Sequence, residues 1–367
     1  MSIDSLEAWR FRNFEQFQLR PDPHLNVIYG DNGSGKTSLI EAIYTLARLR
    51  SFRTSDVKQL IASGKEDCLC VAKISDANDH LHNLGIQRTK NSLLVKLDGK
   101  PLQRSSELAT LLPLQIINND VHLLIEGGPS QRRQFLDWGV FHVEPTYGEI
   151  MKQFRHILKQ RNAALKRHWT AQQVRLWDEQ LIETSEQIQR MRAVYIESLN
   201  ATLETLLADS FNLPAFTMHY YQGWEKQTSY AEVLKETVEN DFRLGKTHYG
   251  PHRADLRLRS QGQALKEVVS RGQQKILATM MMLAQIEFFK QQTGRTLVLL
   301  IDDLPAELDR HFSSYFLEKV LDTNSQIFVT ATDYRSMGFS QTLIKGKMFH
   351  VEHGKITETE PSVHSTQ

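Results

Sequence analysis

The chain contains little cysteine, no long apolar run and no excess of either charge. Its only two cysteines, Cys68 and Cys70, alternate along a probable strand without a third or fourth ligand nearby. This spacing favours small core residues over a disulfide or a metal site. The longest apolar stretch, near residues 276–284, is too short to span a membrane, so we expect no membrane association.

The two charge signs are almost balanced. Lys and Arg number 44 against 43 for Asp and Glu, so any nucleic-acid surface has to be a local patch. The N-terminus lacks a basic segment followed by an apolar run, which argues against a signal peptide. Together with the sparse cysteines, this predicts a cytoplasmic location.

The length of 367 residues and a hydrophobic content of 40% suit a globular chain of two or three units. β-Rich patterns in residues 1–110 and 246–367 flank a stretch of helical periodicity in 111–245. We therefore predict an α/β fold with an inserted, mainly helical lobe, whose three segments have these boundaries.

A phosphate-loop pattern occupies residues 30–37, between a short apolar strand and a segment with helical spacing. Its glycines allow backbone N–H groups to face phosphate oxygens, its lysine adds charge and its threonine offers Mg²⁺ a hydroxyl. A plain glycine-rich turn is the alternative, which the strand and helix on either side disfavour. The predicted nucleotide-binding residues are Gly30, Asp31, Asn32, Gly33, Ser34, Gly35, Lys36 and Thr37.

Two carboxylates, Asp302 and Asp303, end the apolar run 297–301. Such a run is typical of a buried parallel strand, and ligands of α/β sheets bind at the carboxyl ends of the strands. We predict that Asp302 and Thr37 support the metal and that Asp303 is the catalytic residue that orients the attacking water. The alternative is a simple turn at the end of the strand.

The segment Ser270, Arg271, Gly272 and Gln273 opens an apolar-faced helix. Free N–H groups and the helix dipole at this point favour an anion. The same residues could also be an ordinary helix cap.

A run of seven basic residues without an acid lies between Ile150 and Trp177. Helical periodicity places a subset of these cations opposite the apolar side, where they could follow a DNA backbone. A solvated helix face and a site for an acidic protein partner remain alternatives. The predicted DNA contacts are Lys152, Arg155, Lys159 and Lys166.

The order of these motifs resembles the SMC-like DNA-repair branch of the ATP-binding-cassette (ABC) superfamily, and most specifically the RecF family of bacterial recombination mediators. The resemblance extends over nearly the whole chain, and only 265 residues separate Lys36 from Asp302, which leaves no room for long coiled-coil arms. The supporting segments are 10–14, 30–37, 131–138, 158–165, 250–252, 270–273, 302–303 and the Glu307-Leu308-Asp309 motif.

The resemblance implies an ABC-type ATPase head that binds ATP and Mg²⁺. It also implies an ATP-dependent homodimer, in which Ser270, Arg271, Gly272 and Gln273 of one subunit complete the site of the other. The implied partners are double-stranded or gapped DNA and a RecR-like mediator, and the implied role is to help load a recombinase at single-strand gaps. Gln115 is the candidate for the glutamine loop of the superfamily.

The sequence departs from the superfamily at two positions. The hydrolytic residue is usually Glu, whereas Asp303 is one methylene shorter, so we predict slow, DNA-stimulated hydrolysis that acts as a switch. A histidine expected after the next strand is replaced by Thr330 or Thr332.

Two other classes of function are less consistent with the sequence. An ATPase subunit of a membrane transporter would carry a Leu-Ser-Gly-Gly signature and lack the long basic helical lobe. A nuclease would need an additional His and Asp cluster for a two-metal site, and no such cluster is evident.

Overall fold

The computed structural model describes residues 1–208, 213–303, 310–333 and 346–360. The chain forms two compact units, one made of residues 1–121 with 293–367 and the other of residues 122–292. The Glu307-Leu308-Asp309 motif lies outside the described residues.

The N-terminal part of the first unit is mainly strand, as the alternating sequence pattern predicts. Its elements are β1 (Ser2–Phe11), β2 (Phe14–Leu19), β3 (Leu25–Tyr29), α1 (Lys36–Arg48), β4 (Asp67–Ser75), β5 (Leu81–Thr89), β6 (Leu93–Leu97), β7 (Lys100–Pro101), α2 (Ser105–Leu111) and β8 (Leu114–Ile117).

The second unit is mainly helical. Its elements are α3 (Leu123–Glu126), α4 (Pro129–Val143), α5 (Tyr147–Lys166), α6 (Ala171–Val174), α7 (Asp178–Ala208), β9 (Thr217–Tyr221), α8 (Tyr230–Leu244), β10 (Asp255–Ser260), β11 (Gln263–Ala264), α9 (Leu265–Val268) and α10 (Arg271–Thr293).

The chain then returns to the first unit and completes its sheet. The remaining elements are β12 (Val298–Ile301), α11 (Arg310–Asp322), β13 (Gln326–Ala331), β14 (Lys347–Glu352) and β15 (Lys355–Thr359).

Two six-stranded sheets build the first unit. One is antiparallel in the order β2-β1-β4-β5-β6-β7, and the other has the order β15-β14-β3-β13-β12-β8. In the second sheet only β15 runs antiparallel to its neighbour. The predicted α/β class with a mixed sheet is therefore confirmed.

Helix α1 is buried on nearly every side, and its apolar residues share one core with both sheets. Leu39, Ile43 and Leu46 are fully inaccessible to solvent. A helix that is buried around most of its circumference needs cover on several sides, and the two sheets contribute to it. The core thereby fixes the first turn of α1, which follows the phosphate loop directly.

The second unit contains a helical pair, α5 and α7, and the three-stranded sheet β11-β10-β9. Because β10 pairs with β9, the segment after residue 246 belongs to the same compact unit as the helical lobe. The structural divisions at 121/122 and 292/293 thus differ from the predicted boundaries at 110/111 and 245/246, and the role of each segment stays a prediction.

Arg161 of α5 is fully buried and holds the helical unit together. Its Nε donates to Asp178 Oδ1 over 2.9 Å, and its Nη1 donates to Asp241 Oδ2 over 2.7 Å. These bonds link α5 to the start of α7 and to α8. Arg161 is therefore a structural cation, although the sequence counted it among the basic run.

None of the helices in the described parts of the chain combines the length and the apolar character needed to cross a bilayer.

Replacing Arg161 with Leu should lower the free energy of unfolding of the second unit by about 3–5 kcal/mol, because two carboxylates lose their buried partner. Four of the five tryptophans lie in residues 122–292, so urea unfolding followed by tryptophan fluorescence reports mainly on this unit. Lys159→Leu on the exposed side of the same helix is the control, with a change within about 0.5 kcal/mol. Equal effects of the two variants would contradict the role of Arg161.

Candidate functional site

Polar residues from several parts of the sequence meet at one edge of the mixed sheet. Strands β3, β13, β12 and β8 are parallel, so their carboxyl ends lie on the same side. The phosphate loop follows β3, and the two acids follow β12. This is the edge at which α/β sheets bind ligands.

The phosphate loop requires glycine at two positions. Gly30 has a φ of +147°, and a Cβ added there would lie 2.2 Å from the carbonyl oxygen of Val351. Gly35 has a φ of +121°, and a Cβ there would lie 2.7 Å from Asn13 Nδ2. Any side chain would therefore displace the loop, and its backbone can approach a ligand only because both residues are glycine.

The first turn of α1 is open to an anion. Gly35 precedes the helix, no side chain caps it, and the first turn carries no acid. Ser34 Oγ is buried without a hydrogen-bond partner in the described parts of the chain. Because buried polar atoms normally have partners, this hydroxyl and the free N–H groups indicate a missing acceptor such as a phosphate oxygen.

Lys36 lies at the centre of the loop. Its Nζ donates to the carbonyl oxygens of Gly30, over 2.7 Å, and Asp31, over 2.9 Å. Burial lowers the pKa of the lysine, and the nearby carboxylates of Asp303, Asp302 and Asp31 oppose this shift. Among the residues that the structure describes, the ammonium group thus bonds only to neutral backbone oxygens, and it can turn to a charged ligand.

Asp302 is bound directly to the phosphate-loop helix. Thr37 Oγ1 donates to Asp302 Oδ1 over 3.1 Å, and Thr330 Oγ1 donates to the same oxygen over 3.0 Å. Burial raises the pKa of Asp302, whereas the hydrogen bonds from Thr330 and Thr37 oppose the rise. The predicted metal pair, Thr37 and Asp302, is therefore in contact.

Thr330 also fixes the backbone of Asp303. The N–H of Asp303 donates to Thr330 Oγ1 over 2.6 Å, and Asp303 has a φ of 55°. That left-handed conformation is uncommon for a residue with a side chain, so the bond stabilises a strained position. Thr330 itself is buried inside β13, and the sequence analysis had named it, with Thr332, only as a residue in place of the missing histidine.

A second buried contact joins the β1–β2 turn to α1. Glu41 is fully buried, and Arg12 donates two hydrogen bonds to its carboxylate, of 2.7 and 2.6 Å. Next to Arg12, Asn13 Nδ2 donates to the carbonyl of Ser34 over 3.3 Å. Sequence reasoning missed this support, although a glutamate among the apolar residues of α1 was a signal for it.

The strand register does not bring Gln115 to the ligand edge. Gln115 pairs with Leu299, three residues before Asp302, which places it about 10 Å short of the edge at 3.3 Å per residue. Asn118, the first residue after β8, lies nearer to this edge than Gln115 does. The glutamine-loop role of Gln115 stays a prediction.

The Ser270 segment forms a helix cap in the second unit. Ser270 Oγ accepts from the N–H of Gln273 over 3.3 Å, and Gln273 Oε1 accepts from the N–H of Ser270 over 2.9 Å. This reciprocal pair is a capping box. A Cβ at Gly272 would meet nothing within 4 Å, so the packing of this unit does not require that glycine.

The predicted basic face on α5 is exposed. Lys152, Arg155, Lys159 and Lys166 are all accessible to solvent, and a period of 3.6 residues puts them on one side of the helix. Within the described parts of the chain, Lys152 is the one member of this set with an acidic neighbour, Glu149 at 3.8 Å. The face therefore carries largely unpaired positive charge, whereas its contact with DNA stays a prediction.

The acids suit a magnesium ion that shares its ligands with a bound nucleotide. Among the described residues, no group of three or more His, Cys, Asp and Glu side chains could form an all-protein metal site. Mg²⁺ typically binds one or two carboxylates, phosphate oxygens and water. Asp302 and the Thr37 hydroxyl match this need at the open end of α1.

Residues 2–357 match the family described as RecF/RecN/SMC N terminal domain. A "DNA replication and repair protein RecF" from Shewanella sediminis is 38% identical over 361 residues, which cover 98% of this chain and 100% of the relative. A protein with the same name from Pseudomonas aeruginosa (strain LESB58) is also 38% identical, over 364 residues and 98% of each chain.

Solved structures agree with the fold. The recombination mediator protein RecF with ATPrS matches over 98% of both chains, with a TM-score of 0.85 and 25% identity. A Smc head bound to the winged-helix domain of ScpA matches with a TM-score of 0.59 and 16% identity, which indicates the fold alone. These likenesses confirm the predicted ABC-type ATPase head. The chain therefore belongs to the RecF/RecN/SMC N terminal domain family, in which the RecF proteins are its relatives.

Proposed function

We propose that this protein is an ATP-dependent DNA-binding protein of recombinational repair and replication-fork maintenance. One observation carries the nucleotide part of the proposal: Thr37, at the start of the phosphate-loop helix, donates to Asp302 at the end of a buried parallel strand. This pair is the arrangement that holds Mg²⁺ beside a triphosphate in phosphate-loop enzymes. The ATP-bound RecF structures support the choice of nucleotide.

The residues of the loop divide the work of binding. The N–H groups of residues 33–37 and the Ser34 hydroxyl would bind phosphate oxygens. Lys36 would exchange its bonds to backbone carbonyls for a bond to a charged phosphate oxygen. Thr37 and Asp302 would hold Mg²⁺, which when bound neutralises charge that develops on the phosphates. Asp302 suits this role because its carboxylate is buried and already aligned by two hydroxyl groups.

Asp303 is the proposed residue that orients the attacking water. Its backbone is fixed by Thr330, but its side chain is shorter than the usual glutamate by one methylene. A water held less well reacts more slowly, so hydrolysis would act as a timer for release rather than drive movement.

Binding of ATP would favour a closed homodimer. In each composite site the phosphate loop of one subunit would meet Ser270, Arg271, Gly272 and Gln273 of the other, whose helix start presents N–H groups to an anion. A Cβ added at Gly272 would meet no atom of the same subunit within 4 Å, so the fold itself does not require glycine there. This is consistent with a residue kept small so that the other subunit's site can approach it closely. Hydrolysis would then reopen the dimer.

The DNA part of the proposal is supported by two observations of different kind. The relatives are named for DNA replication and repair, and the structural relative is described as a recombination mediator in the RecFOR pathway. In this chain, the exposed basic face of α5 could bind a DNA backbone. We further propose double-stranded or gapped DNA as the substrate, a RecR-like mediator as partner and recombinase loading as the outcome.

Measuring ATP-dependent dimerisation distinguishes the roles of the two halves of the composite site. Lys36→Met should abolish ATP binding, whereas Ser270→Arg should leave ATP binding by the monomer unchanged and block dimerisation. Ser229→Arg is the matched control, because Ser229 is exposed and forms an equivalent capping box at the start of α8. Analytical ultracentrifugation with and without ATP measures the outcome. An ATP-induced dimer of the Ser270→Arg variant would contradict the composite site.

Hydrolysis by the pure protein should be slower than one turnover per second, and DNA should stimulate it. Asp303→Asn should lower the rate by about 10²–10⁴-fold without preventing ATP binding, as expected when a general base is removed. Phosphate release measures the rate, and fluorescence anisotropy of a labelled ATP analogue measures binding. Several turnovers per second by the unmodified protein would contradict the switch.

Thr330→Val should lower hydrolysis about 10- to 100-fold, because both acids lose the hydroxyl that aligns them. In the same variant, the Mg²⁺ concentration that gives half the maximal rate should rise. Thr330→Ser retains the hydroxyl and should restore most of the rate. If the Val and Ser variants hydrolyse ATP equally, Thr330 does not position the acids.

A further inference from the structure

A surface at one end of the second unit combines exposed apolar side chains with cations. Trp169 is 40% exposed, Leu176 is 75% exposed and Leu244 is 42% exposed. They lie after α5, before α7 and at the end of α8. We call this surface the hairpin tip; its exposed cations are Lys166, Arg167, Arg175, Arg243 and Lys246.

The parts of the hairpin tip are held together by one small core. Ala164, Leu165 and Val174 form a buried cluster against which Trp177 and Phe242 pack. The rings of Trp169 and Trp177 are 5.8 Å apart. A Cβ at Gly245 would lie 3.3 Å from Lys166 Cγ, so the end of α8 touches the end of α5.

The positive charge of the hairpin tip is not compensated locally. The two acids closest in sequence to its edges, Asp178 and Asp241, are both bound by the buried Arg161. None of the five cations forms an ion pair with any residue that the structure describes, and the nearest exposed acids in sequence, Glu179 and Glu239, each lie four residues from a cation of the tip. This arrangement leaves the cations available for an anionic partner.

The exposed tryptophan is presented on an ordered loop. The N–H of Trp169 donates to the carbonyl of Ala164 over 3.1 Å, and the N–H of His168 donates to that of Leu165 over 3.1 Å. Thr170 then starts α6 with a capping box formed with Gln173. Because this loop is already ordered, binding a partner through Trp169 would cost the loop little conformational entropy, which favours binding.

We propose that the hairpin tip binds DNA at the junction between a duplex and a single strand, with an unpaired base stacked on Trp169 and phosphates held by the surrounding cations. The inference deepens the proposed function and rests on it. The supporting feature is continuity: Lys166 belongs both to the tip and to the basic face of α5. From Lys152 to Lys166 that face extends for about 21 Å, the length of about six base pairs of duplex.

The chemistry of the surface fits this ligand better than a fully paired duplex. A duplex offers phosphates but hides the faces of its bases, so exposed Trp169 and Leu176 would gain nothing from it. An unpaired base adds a face for an aromatic ring, and such stacking contributes about 1–3 kcal/mol per base. The tip would thus recognise gapped DNA, while the rest of the α5 face holds the adjoining duplex.

The test compares binding of the full chain, with ATP, to a gapped duplex and to a blunt duplex of the same sequence. Trp169→Ala should weaken binding to the gapped duplex by about 5- to 150-fold, the equivalent of one lost stack, and change binding to the blunt duplex by less than about twofold. Trp169→Phe should restore much of the loss. Leu81→Ala, at another strongly exposed apolar residue in the first unit, is the matched control.

A charge variant tests the phosphate contacts separately. Arg175→Gln should weaken binding to the gapped duplex and reduce the slope of log affinity against log salt by about one. Melting temperatures of all variants check that the exposed positions leave the fold intact.

The outcomes distinguish a failure of the proposed binding surface from a failure of the proposed function. If Trp169→Ala and Arg175→Gln bind gapped DNA as the unmodified protein does, the hairpin tip is not the junction site, although the proposed function stands. If the unmodified protein binds neither DNA with ATP, the proposed function itself fails. Trp169-dependent binding to anionic lipid vesicles, or to acidic peptides, without any effect on gapped DNA would assign the tip to those partners and overturn the inference.

Discussion

The hydrogen bonds that converge on Asp302 are the contact on which the candidate site depends. Thr37 reaches this carboxylate from α1 and Thr330 reaches it from β13, while Asp302 itself directly follows β12. Three elements therefore meet at one oxygen atom. Their alignment comes from the parallel register of β3, β13 and β12, which places Thr330 one step beyond the pair Val329 and Ile301. Burial disfavours the ionised carboxylate, and the two hydroxyl groups offset part of that cost.

The sequence predicted the residues of this site whose roles are local, but not the contacts that cross strands. A phosphate loop and a buried strand ending in two acids are continuous motifs, so residues 30–37, Asp302 and Asp303 could be found without a structure. Thr330 is 28 residues from Asp302, and their contact follows from the strand order, which periodicity does not give. The role of Gln115 stays a prediction for the same reason, because its residue type suggested the glutamine loop and only the strand register shows that it lies three residues before the edge.

The sequence of α5 already indicated that Arg161 is buried, although counting basic residues alone did not show it. Arg161 follows Phe154 by seven residues and Ile157 by four, so it lies on the apolar stripe of α5. A cation on such a stripe needs buried acids as partners, and Asp178 and Asp241 meet that need. The predicted basic face omitted Arg161, and its four members are exposed. The segment after residue 246 was harder to assign, because its pairing with β9 is non-local.

Both units separate charges that stabilise the fold from charges that remain for a ligand. Arg12 binds Glu41 and Arg161 binds Asp178 and Asp241, in each case through short bonds at buried positions. Within the described residues, by contrast, Lys36 bonds only to backbone carbonyls and the cations of the hairpin tip have no acidic partner. Because a paired charge would have to break its bond before it could bind a ligand, the unpaired cations are the ones able to recognise phosphate at low cost. The same reasoning selects the loop at Lys36 for a nucleotide and the hairpin tip for DNA, although only the first carries a motif that its sequence reveals.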